Sequence, residues 1–499
     1  VLADLGLLRW QCGDAVDTRD LMLAAFAADP NLPEPRIVGA LACFECAEPD
    51  RARELLADHA RWSYLGPMLE SSLATALLQL QRGDDAERRL RALLHRPKAA
   101  LVARLNLIEL LERVNRLDEA ETMLHEAQAM GADAKQTLAA RASLAARRGH
   151  HEEARALFRL ELESADQSIV HAPRWCALAK SCDALGDAAG AMEALSHAHA
   201  IQMRHAVRLA RNTDAPDDDP LRLSRFALEG SAPVAWSEDR TAPAADQSPI
   251  FIVGFPRSGT TLLEQMLDAH PGVKSMDERS FVRDVIRAMR VSGLAYPANL
   301  DRLDAQQLAE LRDLYWRRVG TIVEMDPADR VVDKNPLNML RLPMIKRLFP
   351  NARIVLTLRH PCDVILSNYM QDFRAPKLQI LCASLERLAL GYAGAMNFWI
   401  RHAELLHPDV IELRYEDLLD DTAAETDRLA RFLGLDDAAA LQQFQQRARA
   451  KGYIDTPSYS QVVEPLGKSA IGRWHRYREY IDPVLPTLAP LIDRWGYAA

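Results

Sequence analysis

The chain has 499 residues, 48% of them apolar and 26% charged, with a formal net charge of −9. That length exceeds a single compact core and implies two or three domains. The acidic balance argues against a nonspecific nucleic-acid binder, and no run approaches twenty apolar residues, so no membrane span is expected.

The N-terminus reads VLADLGLLRWQCGD, without the ordered basic, apolar and cleavage regions of a signal peptide. A cytoplasmic location is therefore expected; the start at Val1 rather than Met leaves room for residues upstream. The seven cysteines are Cys12, Cys43, Cys46, Cys176, Cys182, Cys362 and Cys382. Cys43 and Cys46 have CxxC-like spacing, but no second pair or histidine cluster accompanies them. Thiols in a reducing compartment are expected rather than a zinc site.

Residues 1–211 are rich in Ala, Leu, Arg, Glu and Asp and carry a period. The segments RGDDAERRLRALL, NRLDEAETMLHEA, RGHHEEARALFRL and LGDAAGAMEALSHA align with small residues at Ala86, Ala120, Ala154 and Ala191. The first two intervals are 34 residues and the last is 37; Ala52, in EPDRARELLADHA, lies 34 before Ala86. A small side chain at this spacing lets two antiparallel helices approach, and each pair buries its remaining apolar face on the next. The pattern resembles tetratricopeptide (TPR) repeats, with Trp175, Leu178 and Gly186 supplying the aromatic, leucine and turn glycine of the last copy.

Residues 212–249 contain NTDAPDDDP and SAPVAWSEDRTAPAADQSP, which break helices and lack apolar periodicity. They are expected to be a linker, with LRLSRFALEG as a short helix between the breakers. From 250 to 499 the pattern alternates. Strands are expected at 250–254, 330–333, 352–358 and 409–413, and helices at 260–269, 302–325, 337–349, 362–372, 384–406 and 423–433. Short apolar strands without alternation suit a parallel sheet covered on both faces. The expected fold is thus a TPR-like α-solenoid followed by a P-loop-like α/β domain with a central parallel sheet.

The stretch GFPRSGTT, from Gly254 to Thr261, has the glycine spacing of a phosphate loop between strand and helix. Its glycines let backbone N–H groups approach phosphate oxygens, and the helix start at Thr260 adds partial positive charge. Thr260 and Thr261 stand where an ATP or GTP binder carries Lys-Ser or Lys-Thr, and the cation sits inside the loop at Arg257. A triphosphate would be poorly neutralised here.

PRSGTTLLEQMLDAHP resembles the 5′-phosphosulfate loop of sulfotransferases that use 3′-phosphoadenosine 5′-phosphosulfate (PAPS). LTLRHPCDVILSNY matches that family's 3′-phosphate element, with Arg359 at a strand end and Ser367 eight residues on. Within the family the C-terminal half resembles the tyrosylprotein sulfotransferases. That resemblance implies Glu278 in HPGVKSMDERSF as general base and Lys334 in VVDKNP as a catalytic cation. It implies Ser458, Gly467 and Arg473 as a nucleotide-clamping segment, and Tyr415 of RYEDL as a nucleotide contact. The cofactor site then comprises Arg257, Ser258, Gly259, Thr260, Thr261, Arg359, Ser367, Tyr415, Gly467 and Arg473; the catalytic set is Glu278, Lys334, Arg257 and Ser458. The family's third 3′-phosphate arginine falls at Gln371, with Arg374 as a substitute, and Arg473 stands where those enzymes have Lys. Their secretory disulfide partners are replaced by Ser275 and Val332. Bacterial fusions of TPR repeats with a sulfotransferase domain are the better match overall.

The resemblance implies PAPS as cosubstrate, 3′-phosphoadenosine 5′-phosphate (PAP) as product, and no metal. In-line sulfuryl transfer needs positive charge on the equatorial oxygens and the leaving phosphate. Arg257 and Lys334 are the candidates, with the Thr260 and Thr261 hydroxyls. His270 competes for the base role, but it and His360 read as structural. The acceptor is open; a protein or peptide tyrosine, held by the TPR groove, is consistent with the resemblance, and the repeats can equally serve a homodimer. Two rivals remain: a TPR scaffold with a non-catalytic nucleotide-binding domain, and a small-molecule kinase of related fold.

Overall fold

The computed structural model describes residues 1–46, 48–63, 65–80, 82–97, 99–163, 168–210, 236–445 and 467–498. It divides into two units, Val1–Asp214 with Met370–Ser384, and Ala215–Tyr369 with Leu385–Ala499. No helix among the described residues is long and apolar enough to cross a membrane.

The first unit is an array of helix pairs. α1 (Leu2–Gln11) pairs with α2 (Ala15–Ala28), and α3 (Pro33–Glu45) with α4 (Pro49–Leu55). α5 (Pro67–Gln79) and α6 (Gly83–Leu93) follow, then α7 (Ala100–Arg113) and α8 (Leu117–Ala129). α9 (Ala134–Arg147) with α10 (His151–Leu162), and α11 (Ala172–Ala184) with α12 (Ala188–Ala210), complete it. Ala52, Ala86, Ala120, Ala154 and Ala191 each occupy the fourth position of the second helix in a pair, and each is fully buried. There the small side chain sets how closely the helices pack. Thr18 occupies the same position in α2, 34 residues before Ala52, and is also fully buried. The array therefore holds a further copy that an alanine-based alignment passes over.

The turns repeat as well. In six pairs the residue two beyond the first helix's C-cap donates its N–H to a carbonyl five residues back. These are Asp14 to Arg9, Glu48 to Cys43, Arg82 to Leu77, Arg116 to Leu111, His150 to Ala145 and Asp187 to Cys182, all at 2.8–2.9 Å. This closure satisfies a helix-end carbonyl and needs a left-handed residue just before the donor. Gly13, Asn115, Gly149 and Gly186 supply it, with φ between 62° and 81°.

α12 has 23 residues and outruns the other second helices. Near its end Leu209 packs with Ala15, Val16 and Cys46, and His205 Nε2 lies 3.3 Å from Glu45 Oε2. The last helix of the array thus closes on its first pairs. The short helix Pro376–Leu381 packs on α12, and Gln202 Nε2 donates to Asp372 Oδ1 at 2.7 Å. Burial pushes the Cys43 thiol up to about 12 and Cys46 up to about 11, so both are packed as protonated thiols.

The second unit is built on a five-stranded sheet. Its strands are β1 (Ile250–Gly254), β2 (Val273–Ser275), β3 (Arg330–Lys334), β4 (Arg353–Leu358) and β5 (Asp409–Arg414). Their order is β2-β3-β1-β4-β5 and all pairings are parallel. Every residue of β1 is buried, so its sequence shows no alternation. Ile250 and Ile252 pack with Leu263, Met266 and Leu433, while Phe251 packs against Phe349 at 6.2 Å. β1 is flanked by β3 on one side and β4 on the other, so the order reverses at its tip, where such folds bind ligands.

Several elements differ from expectation. β2 and the helix Phe281–Val291 were not expected; the register of β2 sets Ser275 opposite Val332. The 302–325 helix is confined to Ala305–Val319. The 337–349 helix starts as a 3₁₀ helix, Pro336–Arg341, before turning α-helical over Leu342–Leu348. Residues 236–249, expected as linker, are fastened to the sheet unit. Arg347 Nη1 donates to Ser237 O at 3.1 Å, and Arg312 pairs with Asp239. Both arginines are buried and need acceptors, which this segment supplies.

Candidate active site

The loop after β1 is shaped by two glycines. A Cβ on Gly254 would stand 2.5 Å from Thr357 Oγ1 and 2.7 Å from Thr357 O, so β1 and β4 approach here only without a side chain. Gly259 has φ +101° and is the N-cap of the helix Thr260–Asp268, and a Cβ on it would lie 2.8 Å from the Tyr415 ring. Ser258 Oγ and Thr357 Oγ1 are 2.7 Å apart, tying the loop to β4. Thr260 and Thr261 are buried at the helix N-terminus, where backbone N–H groups favour an anion.

Arg257 has φ 70°, a left-handed conformation that a bulky residue adopts only under constraint. Its Nε donates to Ser367 Oγ at 3.1 Å. Ser367 is on the helix Pro361–Tyr369, which follows β4. Arg359 stands just past the end of β4; its Nη1 donates to Arg257 O at 3.2 Å and its Nη2 to Ala470 O at 2.6 Å. The Arg359 guanidinium also lies over the Tyr415 ring, 5.1 Å from its centroid. Burial, then the neighbouring Arg359 charge, pull the Arg257 pKa down to about 10; Arg473 adds to the repulsion. Three arginines thus crowd one place at the tips of β1 and β4. Arg359 Nε is buried and makes no hydrogen bond. Clustered guanidinium groups beside a buried donor that makes no hydrogen bond suit a phosphate site.

A residue absent from the sequence reading positions Arg473. Asp363 is buried, and its two carboxylate oxygens accept from Gly472 N at 2.7 Å and Trp474 N at 3.0 Å. Trp474 is buried and stacks on His360 at 5.3 Å. These contacts fix the short 3₁₀ helix Arg473–Tyr477 beside the β4 tip. Gly467 opens the described part of this segment and is exposed, leading into the turn whose Ala470 carbonyl Arg359 holds.

Lys334 ends β3 and is fully buried. Its Nζ lies 2.9 Å from Glu278 Oε1 and 3.2 Å from Glu264 Oε2. Burial disfavours the ammonium, but Glu264 and Glu278 outweigh it and hold the Lys334 pKa above its ordinary value. One cation cannot offset two carboxylates, and the deeper one bears the shortfall: burial raises the Glu264 pKa to about 7 against the pull of Lys334. Glu278 is 46% exposed and reaches solvent from the loop after β2. Next to Lys334, Asp333 accepts from Tyr315 Oη at 2.8 Å and Asn338 Nδ2 at 3.1 Å.

The expected residues Arg257, Ser258, Gly259, Thr260, Thr261, Arg359, Ser367 and Tyr415 converge through these contacts. Lys334 and Glu278 meet at the adjacent strand tip. Ser458 lies outside the described residues. Gln371 and Arg374 belong to the segment that packs with the helical repeats. His270 is structural, as expected, through side-chain contacts to the turn that follows its helix. Its Nδ1 accepts from Gly272 N at 3.1 Å and its Nε2 lies 3.2 Å from Asp436 Oδ1, so it braces the turn into β2. His360 Nδ1 accepts from Cys362 N and its Nε2 meets Ala498 O at 2.7 Å, a structural role.

The sulfotransferase family model matches residues 249–439. A protein of Aquifex aeolicus described as uncharacterized is 29% identical over 259 residues, which are 48% of this chain but 32% of that one. Protein-tyrosine sulfotransferase 2 of Gallus gallus is 24% identical over 267 residues, 50% of this chain and 69% of its own. Protein-tyrosine sulfotransferase A of Caenorhabditis elegans is 25% identical over 270 residues, covering 52% and 68%. Among solved structures, the sulfotransferase domain of the Synechococcus PCC 7002 olefin synthase aligns with TM-score 0.34 at 20% identity, covering 48% of this chain and 91% of that one. The Mycobacterium avium sulfotransferase STF9 aligns with TM-score 0.31 at 12% identity, covering 68% and 96%. Family match and relatives fall on the half that carries the phosphate loop and the strand-tip cations: residues 249–439 are a sulfotransferase-family domain, preceded by a helical-repeat unit.

Proposed function

We propose that the protein transfers the sulfuryl group of PAPS to an acceptor hydroxyl, with a tyrosine of a protein or peptide as the acceptor class. The observation that carries this reading is the join between two anion pockets. The loop after β1 and the Arg359–Ser367 element after β4 meet through Arg257, at 3.1 Å and 3.2 Å. Such a pair suits a compact adenosine nucleotide bearing phosphate at both ends. The loop N–H groups, Arg257, Thr260 and Thr261 would hold the 5′ end, and Arg359 and Ser367 the 3′-phosphate. Tyr415 presents a ring face between them.

PAPS supplies the activated sulfuryl group; the chain's own residues then set the reaction. Lys334 carries a fixed positive charge at the strand tip, where it can oppose charge on the leaving phosphate. Glu278, half exposed and beside Lys334, is the carboxylate placed to take the acceptor proton. The tyrosine acceptor class is brought by the relatives named protein-tyrosine sulfotransferases. The repeat unit is proposed to recruit the acceptor or a partner protein.

The test is a labelled-sulfate transfer assay with PAPS against tyrosine peptides, glycans and small phenols. Label on tyrosine peptides is expected. Label confined to glycans or phenols overturns the acceptor class, and PAP binding without transfer to any acceptor overturns the enzymatic reading.

A further inference from the structure

Glu264 is the least expected charge in the sheet unit. It sits in the second turn of the helix after the phosphate loop and is fully buried, and among the described residues its carboxylate has no well-aligned hydrogen bond. Its Oε2 stands 3.2 Å from Lys334 Nζ, an ion pair without hydrogen-bond alignment. A buried carboxylate so poorly satisfied is costly unless a neighbour depends on it.

The dependent neighbour is Lys334. In the structure its ammonium is bonded to Glu278, the carboxylate proposed as base. A base held by a lysine is a weakened base, and a lysine held by that base is turned from the phosphate. For both to work, Lys334 must leave Glu278. Without a second carboxylate, that move would strand a fully buried ammonium with no counter-charge.

Resting on the sulfotransferase reading, we propose that Glu264 is a positioning residue: it holds the Lys334 ammonium from beneath, so that Glu278 is released to act as base and Lys334 to face the leaving phosphate. Among the described residues, the charged groups acting most strongly on Glu264 are Lys334 on β3 and Asp277 and Glu278 on the loop after β2. Because burial raises the Glu264 pKa to about 7, the support is present above that pH and is lost below it.

The test compares wild type, Glu264→Gln and Glu264→Asp in the full chain, by PAP titration and by PAPS turnover from pH 5.5 to 8.5. The isosteric Glu264→Gln is expected to melt no lower than wild type, because a desolvated charge is gone. It should bind PAP several-fold more weakly at pH 8, since Lys334 then stays on Glu278 and does not turn to the phosphate. That difference should vanish at pH 6, where wild type is already protonated at this site. Its kcat should fall about tenfold or more at pH 8, and Glu264→Asp should restore part of it. Wild-type turnover should decline below pH 7, and Glu264→Gln should lack that limb.

Equal kcat, an unaltered pH limb, or PAP binding lost together with the fold would each overturn the assignment. PAP binding does not require turnover. A wild type that binds PAP and transfers nothing therefore contradicts the functional reading alone, and the pH-dependent binding difference still decides the role of Glu264.

Discussion

Arg257 Nε donates to Ser367 Oγ at 3.1 Å across 110 residues of sequence, joining the loop after β1 to the helix after β4. The bond exists because β1 and β4 are parallel neighbours in register, with Gly254 opposite Thr357. Two motifs that are separate in sequence thereby become one cationic surface at a topological switch point.

Arg359→Ala tests the 3′-phosphate assignment. Loss of a charged hydrogen-bond donor should weaken PAP by about 1.5–3 kcal/mol, some ten- to a hundredfold. Because Arg359 also holds Ala470 O, the control ligand is adenosine 5′-phosphate, which lacks the 3′ group. Calorimetry should show a loss much larger for PAP than for the control. Equal losses would mean that Arg359 only anchors the following segment.

Glu278→Gln separates binding from chemistry. Glu278 bonds Lys334 and is not among the groups proposed to hold the phosphates, so its neutral analogue should keep PAP affinity within a few-fold. Turnover should fall by about 10² or more, the usual scale for a general base. Turnover that survives the change assigns the base elsewhere.

In the repeat unit, Ala120→Leu inserts three carbons at a fully buried helix contact. Overpacking of this kind costs about 1–3 kcal/mol. The expected result is a lower thermal midpoint for the helical unit with PAP binding unchanged. An undiminished midpoint would contradict the reading of the alanine column as the packing position.

Much of this was legible in the sequence because its physical demands are local. A phosphate loop needs its glycines within a few residues, and the alanine column needs one small side chain per helix pair. Thr18 escaped because it fills the same position with a hydroxyl-bearing, β-branched side chain. β2 is three residues long and offers no period to read. Glu264 looks like a surface helix glutamate until β3 brings Lys334 against it. Asp363 was invisible for the same reason, since the backbone N–H groups it accepts from are 109 and 111 residues away. The 370–384 excursion into the helical unit has no sequence marker beyond its prolines and polar residues.

Asp333 should leave a pH signature on stability. Burial raises its pKa to about 6, against the pull of its Tyr315 hydrogen bond, so the folded state binds a proton more tightly than the unfolded chain. Between pH 4 and pH 6 the unfolded state therefore holds fewer protons at this site, and its contribution to stability falls as pH rises. Asp333→Asn removes this dependence. The stability of the variant relative to wild type should climb from pH 4 to pH 6.5, on the order of 1–3 kcal/mol. Chemical denaturation at the two pH values measures it, and a constant difference would contradict the raised pKa.

A crystal structure of the full chain with PAP bound is the most direct measurement of the central claim. It should place the 5′-phosphate on the N–H groups of the 255–261 loop, with the 3′-phosphate on Arg359 and Ser367 and Lys334 turned toward the 5′ end. PAP bound away from the β1 and β4 tips, or seated there with its two phosphates exchanged, would contradict it.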